Sequence, residues 1–583
     1  MDDPYADRPW LRFYPEGVPR DVHVPDVPVT ALLDDAARAF PDRPALTYFG
    51  RTLTYRELHD EVGRFAGVLA GLGVAKGDRV ALVLPNCPQN VIAFFATLRL
   101  GAVAVQHNPL YTEPELRHQL ADSGAIVAVV YDGAYARVTA VRPDTALQQV
   151  VVTSLVDYLP SWKQRLLRLP LRRAREKRAR LVTPLPPGED VPDFAELLAA
   201  STRGPAQTSL DPVADLAALQ YTGGTTGLPK GAMLTHRNLV ANAYQTRAWD
   251  PGISEGYETT LGVLPLFHVY GLTLGLMTTM LSAGRLVLMP TFDLQMVLEA
   301  VSREKPSIFP GVPPMYSQVN DAAAEGDHDL RSVRTCVSGA MRLPPATVDE
   351  FQQLTGGRLV EGYGLTETSP VALCNPLNRN ARAGTVGLPV PSTDARVVDE
   401  RDPDVVVPPG TAGELALRGP QVFAGYWGHA GDTAAMLRDG WILTGDVVTM
   451  SPDGFFTIID RKRDVILASG FSIFPSEVED AVCEHPDIAE CVVVGVPDPY
   501  RGETVKAYVV PRPGTWLVAD QVQDHCAERL AAYKVPKLVE VRDELPRNII
   551  GKPLRRVLRE QHMAAVTMTS EAMTSDGLPG LPC

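Results

Sequence analysis

Short apolar runs alternate with longer segments of mixed polarity over the first 460 residues of the chain. The runs are rich in β-branched residues, which predicts buried strands at 79–84, 125–130 and 285–289. Between the first two runs, residues 88–100 carry an apolar pattern of helical length. Strands that alternate with helices in this way are typical of an α/β protein.

A smaller region from about 464 to 560 has a pattern of its own. It predicts a helix at 475–482, strands at 491–495 and 506–510, and a second helix at 519–532. These elements would form a compact α+β module. We therefore expect a fold with a large α/β region and a smaller, separate carboxyl-terminal domain.

The division of the chain follows from these patterns. With 583 residues the chain exceeds a single core. We expect a large domain over 1–462, a mobile small domain over 463–560 and a disordered tail over 561–583. The tail is predicted from its composition, which is rich in Thr, Ser, Met, Gly and Pro.

Charge and composition narrow the function classes. The formal net charge of −14 argues against a general nucleic-acid binder. The seven cysteines show no paired spacing, which favours reduced thiols over a disulfide framework or a zinc site. Residues 1–7 lack the apolar core of a signal peptide, and no run reaches the ~18 apolar residues of a membrane span. The sequence predicts a cytoplasmic protein.

One local charge pattern stands apart. Nine of the eighteen residues from Lys163 to Arg180 are Lys or Arg, and Glu176 is the single acid. Leucines and Trp162 supply an apolar side, so this segment could contact an anionic membrane surface as a peripheral protein does. A solvated insertion interrupted by Pro170 is the alternative.

The segment 221–231 carries the strongest chemical signal, with the sequence Tyr-Thr-Gly-Gly-Thr-Thr-Gly-Leu-Pro-Lys-Gly. Glycines let backbone N–H groups approach an anion, and the hydroxyls and the lysine add donors and charge. The pattern differs from a Walker A motif, because Pro229 stands where that motif needs glycine before its lysine. Taken alone, the segment is either a phosphate-binding loop or a flexible turn.

Two carboxylates follow short glycine motifs further along the chain. In Glu361-Gly-Tyr-Gly-Leu-Thr-Glu367 the last acid could hold Mg²⁺ that bridges phosphate oxygens, or could cap a helix. In Trp441-Ile-Leu-Thr-Gly-Asp446 a strand ends at an acid that could accept the hydroxyls of a ribose, or the acid could mark a turn.

Two charged segments complete the set. Asp460-Arg-Lys-Arg-Asp464 lies on the border between the large and small regions, where it suits a hinge or a charged surface. Lys552 follows a glycine near the end of the small module. A lysine there could neutralise developing phosphoryl charge, or it could be a solvated loop residue.

Taken together and in this order, these motifs resemble the adenylate-forming superfamily of acyl-CoA synthetases, luciferases and peptide-synthetase adenylation domains. The resemblance runs from about residue 29 to 558. The segments 101–112, 264–270 and 469–479 look most like the bacterial long-chain fatty-acid–CoA ligases.

The resemblance implies roles for particular residues. Lys552 would drive adenylation, His268 would lie beside the acyl carboxylate, and Glu367 with Thr226 or Thr225 would serve Mg²⁺. Arg463 would be the hinge. The implied nucleotide and CoA contacts are Thr222, Gly223, Gly224, Thr225, Thr226, Gly227 and Lys230 at the phosphates, Gly339, Ala340, Met341, Glu361, Gly362 and Tyr363 at adenine with Gly364 and Thr366 beside them, Asp446 and Arg461 at the ribose, and Gly470 at the thioester half-site.

The implied reaction joins a fatty acid to CoA with ATP and Mg²⁺ in two steps. The carboxylate attacks the α-phosphorus of ATP to give acyl-AMP and pyrophosphate, and the CoA thiol then displaces AMP. Three alternatives stay open: an aryl or branched-acid CoA ligase, an acyl-AMP ligase that loads a carrier protein, and a non-catalytic acyl-nucleotide binder. The resemblance also implies that a homodimer can form, but no segment of the sequence identifies an interface.

The acyl group has one sequence signal. Residues 270–284 form an apolar run rich in small side chains, which could leave room for an alkyl tunnel. The same run could also be a packed core helix. Chain length cannot be predicted from it.

Overall fold

The computed structural model describes residues 4–186, 191–202, 204, 208–222, 228–326, 328–462, 464–468, 471–498, 501–548 and 551–575. Up to residue 204, the helices are α1 (Thr30–Ala39), α2 (Tyr55–Gly71), α3 (Pro88–Arg99), α4 (Glu113–Ser123), α5 (Asp132–Val141), α6 (Ser161–Arg168), α7 (Arg172–Leu181) and α8 (Phe194–Ala200). The strands of this part are β1 (Pro44–Tyr48), β2 (Arg51–Thr54), β3 (Arg79–Val83), β4 (Val103–Gln106), β5 (Val127–Tyr131) and β6 (Gln149–Thr153).

The remainder of the large region adds helices α9 (His236–Trp249), α10 (Thr278–Leu281), α11 (Leu294–Glu304), α12 (Pro313–Glu325), α13 (Pro345–Thr355) and α14 (Ala430–Met436). Its strands are β7 (Leu216–Thr222), β8 (Lys230–Thr235), β9 (Thr259–Gly262), β10 (Arg285–Leu288), β11 (Thr335–Ser338), β12 (Arg358–Gly364), β13 (Val371–Cys374), β14 (Leu388–Pro389), β15 (Asp394–Val398), β16 (Gly413–Arg418), β17 (Leu437–Arg438), β18 (Trp441–Met450) and β19 (Phe456–Arg461). A π-helix, Gly271–Met277, leads directly into α10.

The small region contains β20 (Ile466–Ala468), β21 (Phe471–Ile473), α15 (Pro475–Cys483), β22 (Ile488–Asp498), β23 (Gly502–Pro511), α16 (Ala519–Ala527), β24 (Leu538–Val541) and α17 (Arg555–Ser575). Its sheet has the order β21-β20-β23-β22, with β24 paired to β23. The valines of β22 and β23 and the inner face of α15 form a separate core. The predicted α+β module is present.

Two sheets build the centre of the large region. The first has the order β6-β5-β3-β4-β7-β8 and is parallel except for the hairpin partner β8. The second combines β2-β1-β10-β9 with β11-β12-β13-β14, because Ile308 bridges both Thr260 and Thr335. Apolar α3, which is buried along its whole length, packs beside the first sheet. A third sheet holds β15, β16, β17, β18 and β19.

The predicted α/β class, with a large amino-terminal and a small carboxyl-terminal domain, is confirmed. α17 continues to Ser575, past residue 561 where the tail was expected to begin. Leu558, just before that point, packs in a small core with Tyr508, and the Lys506 Nζ lies 3.1 Å from the His562 Nδ1. The disorder of the tail stays a prediction. The predicted helix at 519–532 ends earlier, at Ala527.

Candidate functional site

The predicted ribose contacts lie together at the junction of two sheets. Asp446 pairs in register with Arg461 across β18 and β19, and the Arg461 Nε lies 3.0 Å from the Asp446 Oδ1. The hydroxyl of Tyr363, at the end of β12, donates to the Asp446 Oδ2 at 2.5 Å. Asp446 is only 3% exposed, so two donors hold its carboxylate in a fixed orientation. The predicted strand end at Asp446 was wrong, since β18 runs on to Met450.

The predicted magnesium ligand Glu367 sits in a 3₁₀ turn, Thr366–Thr368, directly after β12. Its Oε1 accepts a hydrogen bond of 2.5 Å from the hydroxyl of Tyr426. Burial raises the pKa of Glu367, so the buried carboxylate gains from a nearby positive charge. A carboxylate oxygen in this setting fits Mg²⁺, which prefers oxygen ligands and binds through few protein groups.

Two of the predicted phosphate contacts, Thr222 and Lys230, lie on β7 and β8. Thr222, the last residue of β7, pairs in register with Lys230, the first residue of β8. The Lys230 Nζ lies 2.7 Å from the Asp432 Oδ1 and 5.6 Å from the centre of the Tyr426 ring. Lys230 therefore reaches the tyrosine that also holds Glu367.

The predicted adenine wall combines two chain segments. Gly339, Ala340 and Met341 follow β11, and Ala340 has a left-handed φ of 69°. Glu361 on β12 accepts a hydrogen bond of 3.1 Å from the Leu343 backbone N–H, which ties the two segments together. Burial raises the pKa of Glu361 to about 7.

The two inner glycines of β12 are required by close packing. A Cβ on Gly362 would lie 3.0 Å from Val337, and one on Gly364 would lie 1.9 Å from the Pro370 carbonyl oxygen. Neither position admits a side chain without displacing its neighbour. This strand therefore carries Glu361 and Tyr363 on one face, and the turn with Glu367 follows directly after it.

The loop with His268 lies against the same wall. The hydroxyl of Tyr270 donates to the Val337 carbonyl at 2.8 Å, and a Cβ on Gly339 would touch the Tyr270 ring. The His268 Nδ1 accepts from the Tyr270 backbone N–H at 3.2 Å. Burial lowers the pKa of His268 to about 4, so the imidazole is neutral at pH 7.

The segment of the small domain that carries Lys552 lies beside this assembly. Asn548 and Lys552 close a turn, in which the Lys552 N–H donates to the Asn548 Oδ1 at 2.8 Å. A Cβ on Gly551 would lie 4.0 Å from the Met341 side chain, so this turn rests on the 339–341 segment. Arg342 and Asp480 form an ion pair of 2.9 Å across the same boundary.

Some predicted residues lie outside the described part of the chain. These are Gly223, Gly224, Thr225, Thr226, Gly227, the hinge residue Arg463 and Gly470. Their roles stay predictions.

The sequence interpretation missed Tyr426 and Asp432. Tyr426 lies in Phe423-Ala-Gly-Tyr-Trp-Gly428, an aromatic segment between glycines, and Ala232 on β8 bridges it. That composition is the one local signal of a close backbone approach. Asp432 has no comparable signal, since it is one acid among many.

Comparison with known proteins agrees with this geometry. The model of the AMP-binding enzyme family matches residues 33–427, and that of the AMP-binding enzyme C-terminal domain matches residues 477–552. The chain belongs to the AMP-binding enzyme family, as the motif resemblance predicted.

Particular relatives share most of their length with this chain. It is 41% identical to a long-chain-fatty-acid–CoA ligase of Bacillus subtilis, over 95% of this chain and 98% of that protein. It is 36% identical to a feruloyl-CoA synthase of Amycolatopsis, over 90% and 97%. Among solved structures, ATP-bound MatB from Rhodopseudomonas palustris has a TM-score of 0.77 at 28% identity, covering 92% of this chain and 99% of that one. A Mycobacterium tuberculosis fatty acyl CoA synthetase has a TM-score of 0.71 at 27% identity, covering 92% and 99%.

Proposed function

We propose that this protein is an ATP-dependent fatty acid–CoA ligase. It activates a medium- or long-chain fatty acid as acyl-AMP and transfers the acyl group to CoA, with release of AMP and pyrophosphate. The observation that supports a fatty acid is an apolar cavity that reaches Val337, which lies beside the 339–341 segment. An apolar lining with a few polar groups is typical of ligand sites.

The wall of this cavity includes the run that the sequence marked as a tunnel. Leu274, Thr278 and Thr279 line it from the π-helix and α10, and Trp249 lines it from the end of α9. Gly275 is buried, yet a Cβ placed on it would meet no atom within 4 Å. A buried glycine beside open space supports an alkyl tunnel, because the neighbours of a packed core helix would fill that space.

A charged cluster lines part of the cavity. Asp250 and Glu258 line it and are 8% and 7% exposed. Arg334 bridges them, with its Nη1 3.3 Å from the Asp250 Oδ2 and its Nη2 3.0 Å from the Glu258 Oε1. Val337, by contrast, lies two residues before Gly339 in the adenine wall. We expect the acyl carboxylate to enter beside Val337, next to the predicted adenine wall, and the alkyl chain to continue into the cavity.

The residues around the wall suit the first half-reaction. Neutral His268 and the Tyr270 loop would border the acyl carboxylate, which attacks the α-phosphorus. Asp446 would accept the ribose hydroxyls, and Lys552 with Lys230 would offset the charge that develops on the phosphate oxygens. Glu367 and Thr226 would hold Mg²⁺, which supplies further charge neutralisation when bound.

The second half-reaction needs a rotation of the small domain, and contacts on either side of Arg463 support a pivot there. Lys462 is tied to the large domain, because its Nζ lies 2.8 Å from the Glu414 Oε2. Asp464 is tied to the small domain, because its Oδ1 lies 3.0 Å from the Arg559 guanidinium. A rotation at 463 would withdraw Lys552 and bring Gly470 to the acyl-AMP, so that the CoA thiol can attack the acyl carbon.

Pyrophosphate release with ATP, Mg²⁺ and acids of graded length, each with and without CoA, tests this function. Turnover that requires CoA and peaks at medium or long saturated acids is the expected result. A single burst that CoA does not accelerate would contradict it and indicate an acyl-AMP ligase. Preference for aromatic acids would instead favour the aryl alternative, which the feruloyl-CoA synthase relative keeps open.

We also propose that α6 and α7 contact an anionic membrane surface. Trp162 and Leu166 on α6 and Leu171 just before α7 are 58%, 49% and 61% exposed, beside exposed Arg165 and Arg172. Exposed apolar side chains among cations are the pattern of an interfacial helix. Among the described residues, no helix combines the length and apolar composition that crossing a membrane requires.

Vesicle sedimentation tests this contact. The protein should pellet with phosphatidylglycerol vesicles at low salt, and less with neutral vesicles or at high salt. Replacement of Arg165, Arg168 and Arg172 by Gln should abolish binding, whereas a control with Arg38, Arg331 and Arg438 replaced by Gln should bind as before. Equal loss in both variants, or no loss in either, would contradict a contact through this segment.

A further inference from the structure

Two thiols that the sequence places eight positions apart meet in the small domain. The Cys483 Sγ and the Cys491 Sγ are 3.0 Å apart. Cys483 is the last residue of α15, and Cys491 lies on β22, which packs along that helix. The helix end and the strand, rather than any sequence motif, create this pair.

The two thiols differ in their surroundings. Cys483 is exposed and Cys491 is partly buried. The Cys491 thiol also lies 3.3 Å from the Glu479 carbonyl oxygen, one helical turn earlier on α15. The hydrogen bond from Cys491 lowers the pKa of Cys483, so the accessible sulfur is the one with more thiolate character.

From this geometry we infer that Cys483 and Cys491 form a reversible redox modification site, in which hydrogen peroxide converts the two thiols to a disulfide. The site is separate from the proposed ligase chemistry and does not depend on it. In a reducing cytosol the pair would rest as two thiols.

The reaction balances in two steps. The Cys483 thiolate attacks one peroxide oxygen, the O–O bond breaks, and the hydroxide that leaves takes up a proton to give water. This oxidises Cys483 to a sulfenic acid and reduces the peroxide. The Cys491 sulfur then attacks the Cys483 sulfur, the S–O bond breaks, and the hydroxide leaves with the Cys491 proton as a second water.

The distance suits the second step. A disulfide has an S–S length of about 2.05 Å, so the two sulfurs need to approach by only about 1 Å. Cys491 packs against a core in which Val493 and Val482, the residue before Cys483, are fully buried. The partner thiol is thus held in place for a sulfenic acid that forms on Cys483.

Peptide mapping of the full-length protein tests the inference. Glu484 and Glu490 lie between the two cysteines, so a glutamate-specific protease cuts between them. After peroxide treatment and blocking of free thiols, the two peptides should travel as one linked species that dithiothreitol separates. The Cys526→Ala variant, which changes a buried thiol of the same domain, should give the same linked species.

A second variant identifies the attacking sulfur. In Cys491→Ser the sulfenic acid on Cys483 has no partner, so dimedone should label Cys483 after peroxide treatment. Two separate peptides in the oxidised wild type, with Cys483 either unmodified or carried on to the sulfinic acid, would overturn the inference. A linked species that joins either cysteine to a different one would also overturn it.

Discussion

The hydroxyl of Tyr363 donates a hydrogen bond of 2.5 Å to the Asp446 carboxylate, although the two residues are 83 positions apart. The bond joins the predicted adenine wall on β12 to the predicted ribose contact on β18. Asp446 is buried and Tyr363 is partly buried against the core, so the orientation of the carboxylate is set before any nucleotide arrives. Preorganisation of this kind reduces the ordering cost of binding.

Tyr363→Phe should raise the KM for ATP roughly tenfold, because a hydrogen bond to a charged group contributes about 1.5 kcal/mol. The ATP dependence of pyrophosphate release measures this change. Tyr158→Phe is the matched control, since the Tyr158 hydroxyl donates to Glu61 at the same 2.5 Å in another part of the fold. An equal KM increase in both variants would remove the specific role of Tyr363.

Lys552→Ala should lower acyl-AMP formation from acid and ATP by at least about 100-fold, the usual effect of losing a charge-stabilising donor. Thioester formation from supplied acyl-AMP and CoA should be unchanged, because Lys552 serves only the first step. Lys534→Ala is the control, since Lys534 pairs with Glu477 elsewhere in the small domain. Loss of both half-reactions in Lys552→Ala would contradict the assignment.

Arg463→Pro should slow thioester formation far more than acyl-AMP formation, because proline restricts the backbone rotation at the proposed pivot. Rapid-quench measurement of each half-reaction gives the ratio. Arg463→Lys keeps the backbone free and should leave the ratio near that of the wild type. If proline slowed both half-reactions equally, the pivot would lie elsewhere.

Glu361→Gln should change how stability depends on pH. Burial raises the pKa of Glu361 from 4.5 to about 7 in the folded protein, so ionisation favours the unfolded state. The wild type should lose stability relative to the variant as pH rises from about 4.5 to 7, by up to about 3 kcal/mol. Above pH 7 the difference should stay constant.

Chemical denaturation of both proteins at pH 5 and pH 8 measures this effect. The exposed Glu299 provides a control, and Glu299→Gln should have the same free energy of unfolding as the wild type at both pH values. If the difference in the free energy of unfolding between Glu361→Gln and the wild type were the same at pH 8 as at pH 5, the carboxyl group would not be held in a desolvated site.

Gly275→Leu should shift the preferred acid to a shorter chain by a few methylene groups, because the new side chain would occupy the open space beside Gly275. Gly275→Ala adds one methyl group and should keep the chain-length profile nearly unchanged. The ratio of kcat/KM for long and medium saturated acids measures the shift. A profile unchanged in Gly275→Leu would mean that the acyl chain takes another path.

The sequence by itself determined the parts of this protein that local patterns encode. Apolar alternation predicted the α/β class, and the predicted strand at 285–289 matches β10 closely. Glu367, Asp446 and Lys552 could be singled out because each follows a glycine motif at a short, fixed spacing. Such motifs are readable because the backbone geometry that they need involves neighbouring residues only.

Tertiary structure alone decided which distant side chains meet. Tyr426 reaches Glu367 across 59 positions, and Arg334 reaches Asp250 across 84. It also decided how α17 docks on the small domain, since Leu558 near its start shares a buried core with Tyr508. The meeting of Cys483 with Cys491 depends in the same way on how α15 packs on β22. Long-range packing selects these pairs by shape and burial, and neither property is a function of sequence spacing.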